Sequence, residues 1–444
     1  MPRPQSPLSE SLPPLIFGTA TFNYQYNLDP YALGPTPLVQ KALALGVRAF
    51  DTSPYYGPAE EILGAALDTD LVRNHYPRES YFILTKVGRI ASDAFDYSPE
   101  WVRKSVQRSC MRLKTSYLDA VYCHDCEFVS PQEVLGAIRE LRRIRDEEGT
   151  LKYVGISGYP VNVLCELAEM ILRETGEPLD IVQSYANFTL QNTRLLTEGL
   201  QRLVNAGVDV VPNASPLGMG LLRRNGAPLG AMGNWHPAPD GLRQACIDAA
   251  KWADSQGEKL EVVAVRFALE NWLREGAKVG ALGDPLGGNE ATYGHVLNLP
   301  NEKLGVSVMG VSKIEELDET MRVWRSVLDG LADDLDAEPG TVDAEPGTIT
   351  PSDAVTDHEW SLWRRQTIRV LAKGIRMVIG QKWVDFTWPS PDPGFVNTLP
   401  PTEAHVPHSP VLPVASPEVA MPTPPSEAAD DGHGSDVPRM SCEA

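Results

Sequence analysis

Side chains able to move protons or carry charge close a series of apolar runs: Asp51, then Tyr55 and Tyr56, then Lys86 and His124. Asp51 lies in Phe50-Asp51-Thr52-Ser53-Pro54-Tyr55-Tyr56-Gly57. Pro54 cannot continue a strand ladder and Gly57 suits a turn, so this stretch brings a carboxylate and a phenol to one strand mouth. Lys86 ends Tyr81-Phe82-Ile83-Leu84-Thr85-Lys86, and His124 ends Ala120-Val121-Tyr122-Cys123-His124. Taken singly, a strand-end lysine is usually a solvated rim residue and a histidine a satisfied polar one. Their recurrence in successive units is the signal. The chemistry they offer is proton transfer. A phenol with a pKa of about 10 shuttles protons poorly at neutral pH, and a nearby ammonium favours its phenolate. Lys86 fits that role, Asp51 would keep a buried lysine charged, and His124 can donate a hydrogen bond to a substrate oxygen.

The elements that must position these groups alternate along the chain. Strands are expected near residues 15–17, 47–51, 81–86, 120–123, 153–156, 181–184, 208–211 and 305–309. Between them lie helical patterns at 38–45, 60–67, 99–113, 131–145, 161–173 and 193–205. A long Gly/Pro-rich loop and two helices, 241–254 and 260–274, precede the last strand, and a helix at 314–331 follows it. About eight βα units predict a parallel sheet closed into a (β/α)8 TIM barrel, with the chemistry at the C-terminal strand ends.

Composition narrows the function classes. The 444 residues are 42% apolar, enough for a sizeable core, and the formal charge of −20 argues against nucleic acid or an anionic membrane as partner. No long uninterrupted apolar run and no secretory pattern is evident, so a cytoplasmic protein is expected. The six cysteines are scattered rather than framed for disulfides, and the lone CxxC at Cys123-His124-Asp125-Cys126 has no second pair, so no metal is expected. Residues 1–13 read as a flexible start and 14–388 as the barrel domain. Within it, 335–357 is an acidic insertion expected to be disordered, carrying Asp336-Ala337-Glu338-Pro339-Gly340-Thr341 again as Asp343-Ala344-Glu345-Pro346-Gly347-Thr348. Helical spacing resumes over 360–379, and 389–444 reads as a disordered Pro/Ser-rich tail.

The motif Asp51-Thr52-x-x-x-Tyr56-Gly57, with Lys86 and His124 in order and context, resembles the aldo-keto reductase family over roughly residues 14–331, at most to Trp388. The resemblance selects Tyr56 over Tyr55 and implies a catalytic tetrad of Asp51, Tyr56, Lys86 and His124 on a barrel that binds NAD(P)(H). It also implies Ser157 and Gln183 at the carboxamide, with Gly158 where an Asn is frequent, and Ser215 and Leu217 at the pyrophosphate. Gly310, Ser312, Lys313 and Glu316 would form the adenosine-phosphate segment. No Gly-x-Gly-x-x-Gly supports a Rossmann domain. A carboxylate at Glu316 would repel a 2′-phosphate and accept from a 2′-hydroxyl, which favours NAD over NADP; the alternative is that Lys313 alone serves either. Ala214 stands where many members place an aromatic. The segments at 213–222, 235–238 and 388–391 resemble the sugar-dehydrogenase branch, with Trp235 and His236 as a pocket wall. They imply oxidation of an aldose of the D-arabinose, L-galactose or L-fucose type at C1 to the aldonolactone. Two alternatives stay open, a general NADP-dependent aldehyde or ketone reductase and a non-catalytic cofactor-sensing subunit, as does the oligomeric state.

Overall fold

The computed structural model describes residues 6–227, 235–288, 302–331 and 358–399. Its strands are β1 (Leu15–Gly18), β2 (Ala49–Asp51), β3 (Phe82–Val87), β4 (Leu118–His124), β5 (Leu151–Gly158), β6 (Ile181–Tyr185), β7 (Asn213–Ala214) and β8 (Ser307–Gly310). They pair in parallel, in sequence order, and β1 closes the barrel on β8 with Leu15 opposite Ser307 and Gly18 opposite Gly310. The helices are α1 (Pro35–Ala44), α2 (Ala59–Leu67), α3 (Asp70–His75), α4 (Pro99–Arg112), α5 (Pro131–Arg143), α6 (Val161–Thr175), α7 (Leu200–Asn205), α8 (Asp240–Ser255), α9 (Leu260–Glu275), α10 (Ile314–Asp329) and α11 (His358–Ile379). The two helices that follow β3 and β4 start on cues written in the sequence. Ser98 accepts from the Trp101 N–H before α4, and Ser130 with Glu133 forms a reciprocal capping box before α5.

Alternation along each strand decides what reaches the mouth. Ala49, Leu84, Ala120, Tyr122, Tyr153 and Ile181 fill the barrel interior, while Phe50, Ile83, Val121, Cys123, Val154 and Val182 pack outward in the cluster beneath the helices. Continuing the inward parity toward the C-terminal ends gives Asp51, Lys86, His124, Ser157, Gln183 and Tyr185. Register keeps them level: His124 lies opposite Ser157, and Ser157 opposite Gln183.

Three expectations are corrected. The seventh strand is Asn213–Ala214, not 208–211, because Pro212 has no N–H for the ladder and the Val211 N–H bonds to Val279 instead of to a strand. The start is not loose over its described part. Leu8 and Leu12 are buried in the barrel-interior cluster, and Ser9 donates to the Asp209 carboxylate through both N–H (2.9 Å) and hydroxyl (2.6 Å). Two leucines four residues apart thus close the base.

The tail expected from residue 389 is described to residue 399 and packs on the barrel mouth. Phe395 meets Phe95 and Phe128 edge-on, and Asn397 exchanges two hydrogen bonds with the Phe95 backbone. Before it, α11 buries Ile368, Leu371 and Ile375 in the cluster formed by α8 and α9. The acidic insertion 335–357 and residues 400–444 lie outside the described residues. No helix among the described residues is long and apolar enough to cross a membrane.

Candidate active site

A cavity of about 520 Å³ opens at the C-terminal strand ends, and Asp51, Tyr56, Lys86 and His124 all border it. Lys86 donates to Asp51 Oδ1 at 2.6 Å and to the Thr52 carbonyl at 2.9 Å, and both ionic partners are buried. Burial raises the Asp51 carboxyl above its ordinary value, while Lys86 and a hydrogen bond from Gln183 oppose that rise. The Lys86 ammonium also lies 4.9 Å from the centre of the Tyr56 ring.

The expected depression of Tyr56 by Lys86 is not what the surroundings produce. Burial first, then the Asp51 and Asp125 carboxylates, raise the phenol well above its ordinary value. The ammonium is already matched by Asp51, so little net positive field is left for the phenol.

Burial pushes His124 down to about 3, so the ring is neutral. Its Nδ1 lies 3.0 Å from the Ser53 hydroxyl oxygen. That oxygen accepts from the Tyr55 N–H at 3.1 Å, so its own proton is free to donate to Nδ1. The arrangement assigns the imidazole proton to Nε2, the nitrogen 3.7 Å from Asp125 Oδ2. Behind the ring, the Tyr97 hydroxyl donates to the His124 carbonyl. The Tyr97 ring can come this close only because Gly88, at φ +97°, has no Cβ; one would lie 2.4 Å from it.

Of the expected cofactor residues, Ser157, Gln183, Ser215, Leu217 and Gly310 border the cavity, whereas Ser312, Lys313 and Glu316 do not. Gln183 Oε1 is buried and has no hydrogen-bond partner, and the Ser157 hydroxyl lies on the next strand at the same level. A free acceptor beside a hydroxyl suits a carboxamide, so the residues present fit a nicotinamide at this end. Ala214 offers no ring, but Tyr185, opposite it in register, also lines the cavity. Glu316 caps its own turn by accepting from the Ser312 N–H at 2.7 Å and pairs with Arg223 at 3.3 Å. Gly158 leaves room for a carboxylate: a Cβ there would lie 2.4 Å from Glu127 Oε2. Glu127 Oε1 holds the Tyr159 N–H and the Ser390 hydroxyl.

Trp235 lines the cavity and meets Tyr26 edge-on at 5.0 Å. His236 does not reach it, which corrects its expected place in the wall. The ring is buried, accepts from the Ala238 N–H and lies 2.9 Å from the Gly218 carbonyl, so it pins the loop from behind. Sequence reasoning missed Arg89 and Asp125 as site residues, set Tyr55 aside for Tyr56 and gave Trp388 and Ser390 no place in the pocket, yet all five line the cavity. Asp125 stood in the CxxC stretch and was weighed only as a metal ligand type. Its neighbours Cys123 and Cys126 are buried, with the Cys126 thiol turned to the Cys123 carbonyl.

The profile of the Aldo/keto reductase family matches residues 14–331. The chain is 42% identical to D-arabinose 1-dehydrogenase of Saccharomyces cerevisiae, over 61% of this chain and 78% of that protein. It is 36% identical to L-galactose dehydrogenase of Arabidopsis thaliana, over 52% and 69%. With D-threo-aldose 1-dehydrogenase of a Pseudomonas species the identity is 24%, over 55% and 78%.

Proposed function

The chain belongs to the aldo/keto reductase family, whose members use nicotinamide cofactors, and from this we propose that it oxidises an aldose at C1 to the aldonolactone with NAD. The observation that carries the reading is the convergence of Asp51, Tyr56, Lys86 and His124 on a cavity whose walls mix rings with charged and hydroxyl groups. Aromatic faces suit the C–H side of a sugar, and its hydroxyls need polar partners. The names of the three relatives above, each an aldose or sugar dehydrogenase, support the same substrate class.

In this reading His124 Nε2–H donates to the C1 oxygen and orients it, and Tyr56 takes the hydroxyl proton as the C1 hydride departs. The bound nicotinamide supplies the hydride acceptor. Lys86 and Asp51 hold a neutralised pair beneath the phenol, which keeps an ammonium in place without leaving a bare charge in the core. Ser157 and Gln183 would hold the carboxamide. The preference for NAD rests on the place of Glu316 in the sequence; its carboxylate lies outside the cavity and is engaged by Arg223 and the Ser312 N–H.

Steady-state rates with D-arabinose, L-galactose and L-fucose, each with NAD and with NADP, test the proposal. Turnover of at least one sugar with NAD preferred is expected, and Tyr56→Phe should lower it by about 10²- to 10⁴-fold while NAD binding, followed by fluorescence, persists. Turnover of simple aldehydes with NADPH and of no sugar with either cofactor would sink the aldose reading. Wild-type inactivity on every substrate, with cofactor still bound, would point instead to a sensor.

A further inference from the structure

One carboxylate at the cavity has so far figured only through its field on Tyr56 and its place beside His124 Nε2. Asp125 follows His124 directly and sits in the left-handed region at φ +54°, which turns its side chain back beside the histidine. The residue is 1% exposed and borders the cavity. Arg89 Nη1 donates to Asp125 Oδ2, while Asp125 Oδ1 is buried with no hydrogen-bond partner. Burial alone would raise the Asp125 carboxyl, yet the Arg89 guanidinium paired with it holds it below its ordinary value, so it is charged. A buried carboxylate oxygen without a donor costs free energy that a bound hydroxyl would relieve.

The neighbours complete a pattern. Arg89 Nη2 donates to the Tyr55 hydroxyl at 3.0 Å, and Gln25 also reaches that oxygen at 3.4 Å. The Tyr55 hydroxyl therefore accepts from two donors, and its own proton has no acceptor among the described residues. Arg89 thus holds an orphaned acceptor, Asp125 Oδ1, and an uncommitted donor, Tyr55 Oη. Both residues line the same cavity as the tetrad.

Their place relative to the reacting centre says which ligand group they suit. Asp125 Oδ2 lies 3.7 Å from His124 Nε2, the atom that faces the C1 oxygen in the proposed reaction. Oxygens on adjacent sugar carbons lie about a hydrogen-bond length apart. We propose that Asp125 and Tyr55, joined by Arg89, form the subsite for the hydroxyl on the carbon next to the reacting one, with Asp125 accepting its proton and Tyr55 donating to its oxygen. This rests on the aldose reading and sharpens it: the enzyme selects 2-hydroxylated sugars over 2-deoxy sugars and plain aldehydes.

The test compares kcat/KM for D-arabinose and for 2-deoxy-D-ribose, which differ only in the C2 hydroxyl, in wild type and in Asp125→Asn. Wild type is expected to prefer D-arabinose by roughly ten- to hundredfold, the range of a hydrogen bond to a charged acceptor. In Asp125→Asn that preference should shrink to about threefold or less, read as a ratio at one pH because the lost charge also acts on the Tyr56 phenol and so changes the rates on both sugars alike. If Asp125 only braces the loop, both sugars fall together and the ratio persists, which overturns the subsite.

Tyr55→Phe leaves the Arg89–Asp125 pair in place and serves if Asp125→Asn does not fold. It should cut the ratio several-fold, and an unchanged ratio counts against the proposal. A wild-type ratio near one overturns the subsite while the aldose reading stands. Turnover of none of D-arabinose, L-galactose, L-fucose and 2-deoxy-D-ribose overturns both.

Discussion

Tyr56 is held as a phenol by burial and by two carboxylates, and this fixes how rate depends on pH. Sugar oxidation needs its conjugate base, whose share grows tenfold per pH unit below the phenol's pKa. The oxidative kcat/KM should therefore climb steadily with pH and show no plateau below about pH 10, while lactone reduction, which uses the protonated phenol, stays level. Profiles in both directions between pH 6 and 10 check this, and an oxidative plateau near neutrality would mean that Lys86 dominates after all. A second expectation concerns the tautomer of His124. Ser53→Ala removes the donor to Nδ1 and lets the ring place its proton on either nitrogen. Its kcat/KM should drop on the order of tenfold with NAD affinity unchanged, and ¹⁵N shifts of the His124 ring should report a mixture where wild type shows Nε2–H.

At the scale of elements, Glu127 ties the turn after β4 to the residue after β5 and, through Ser390, to the segment that follows α11. Burial, with Asp125 adding, raises its carboxyl to about 8. The folded state therefore holds a proton that the unfolded chain releases near 4.5, so this group's contribution is intact below 4.5 and is lost as pH rises through 8. Glu127→Gln keeps an acceptor for Tyr159 and Ser390 without the charge. It should raise the melting temperature at pH 8.5 and leave it nearly unchanged at pH 4, as paired thermal melts would show.

The same elements mark how far sequence could see. Strict in-out alternation made Asp51, Lys86 and His124 legible, because one inward residue per strand end is a local pattern. Arg89 and Asp125 were not legible, since their pairing depends on a left-handed residue after β4 meeting the turn after β3. Residues 389–399 misled by composition: proline and serine suggest solvation, yet Phe395 among them finds an aromatic site prepared by Phe95 and Phe128. His236 failed for the opposite reason, as a polar residue beside Trp235 that the loop uses for itself.

At the scale of the molecule, the two ends of the described chain serve opposite ends of the barrel. Leu8 and Leu12 close the base, and Trp388 stacks on Tyr159 at 4.6 Å beside the mouth. Stability and chemistry should separate accordingly. Leu12→Ala should cost about 2–5 kcal/mol in urea titrations while leaving kcat unchanged in the folded fraction. Trp388→Ala should raise the KM for sugar, because its ring borders the cavity.

The closure of β1 on β8 carries a temporal consequence. Leu15 pairs with Ser307, so the first strand has one edge without a partner until almost the whole barrel has left the ribosome. At about 5–20 residues per second that wait is roughly fifteen to sixty seconds. During it, the apolar strand Leu15-Ile16-Phe17 is an open edge of the kind that recruits other chains. Shielding of the oldest strand while the newest is being made should therefore raise the share of chains that close correctly.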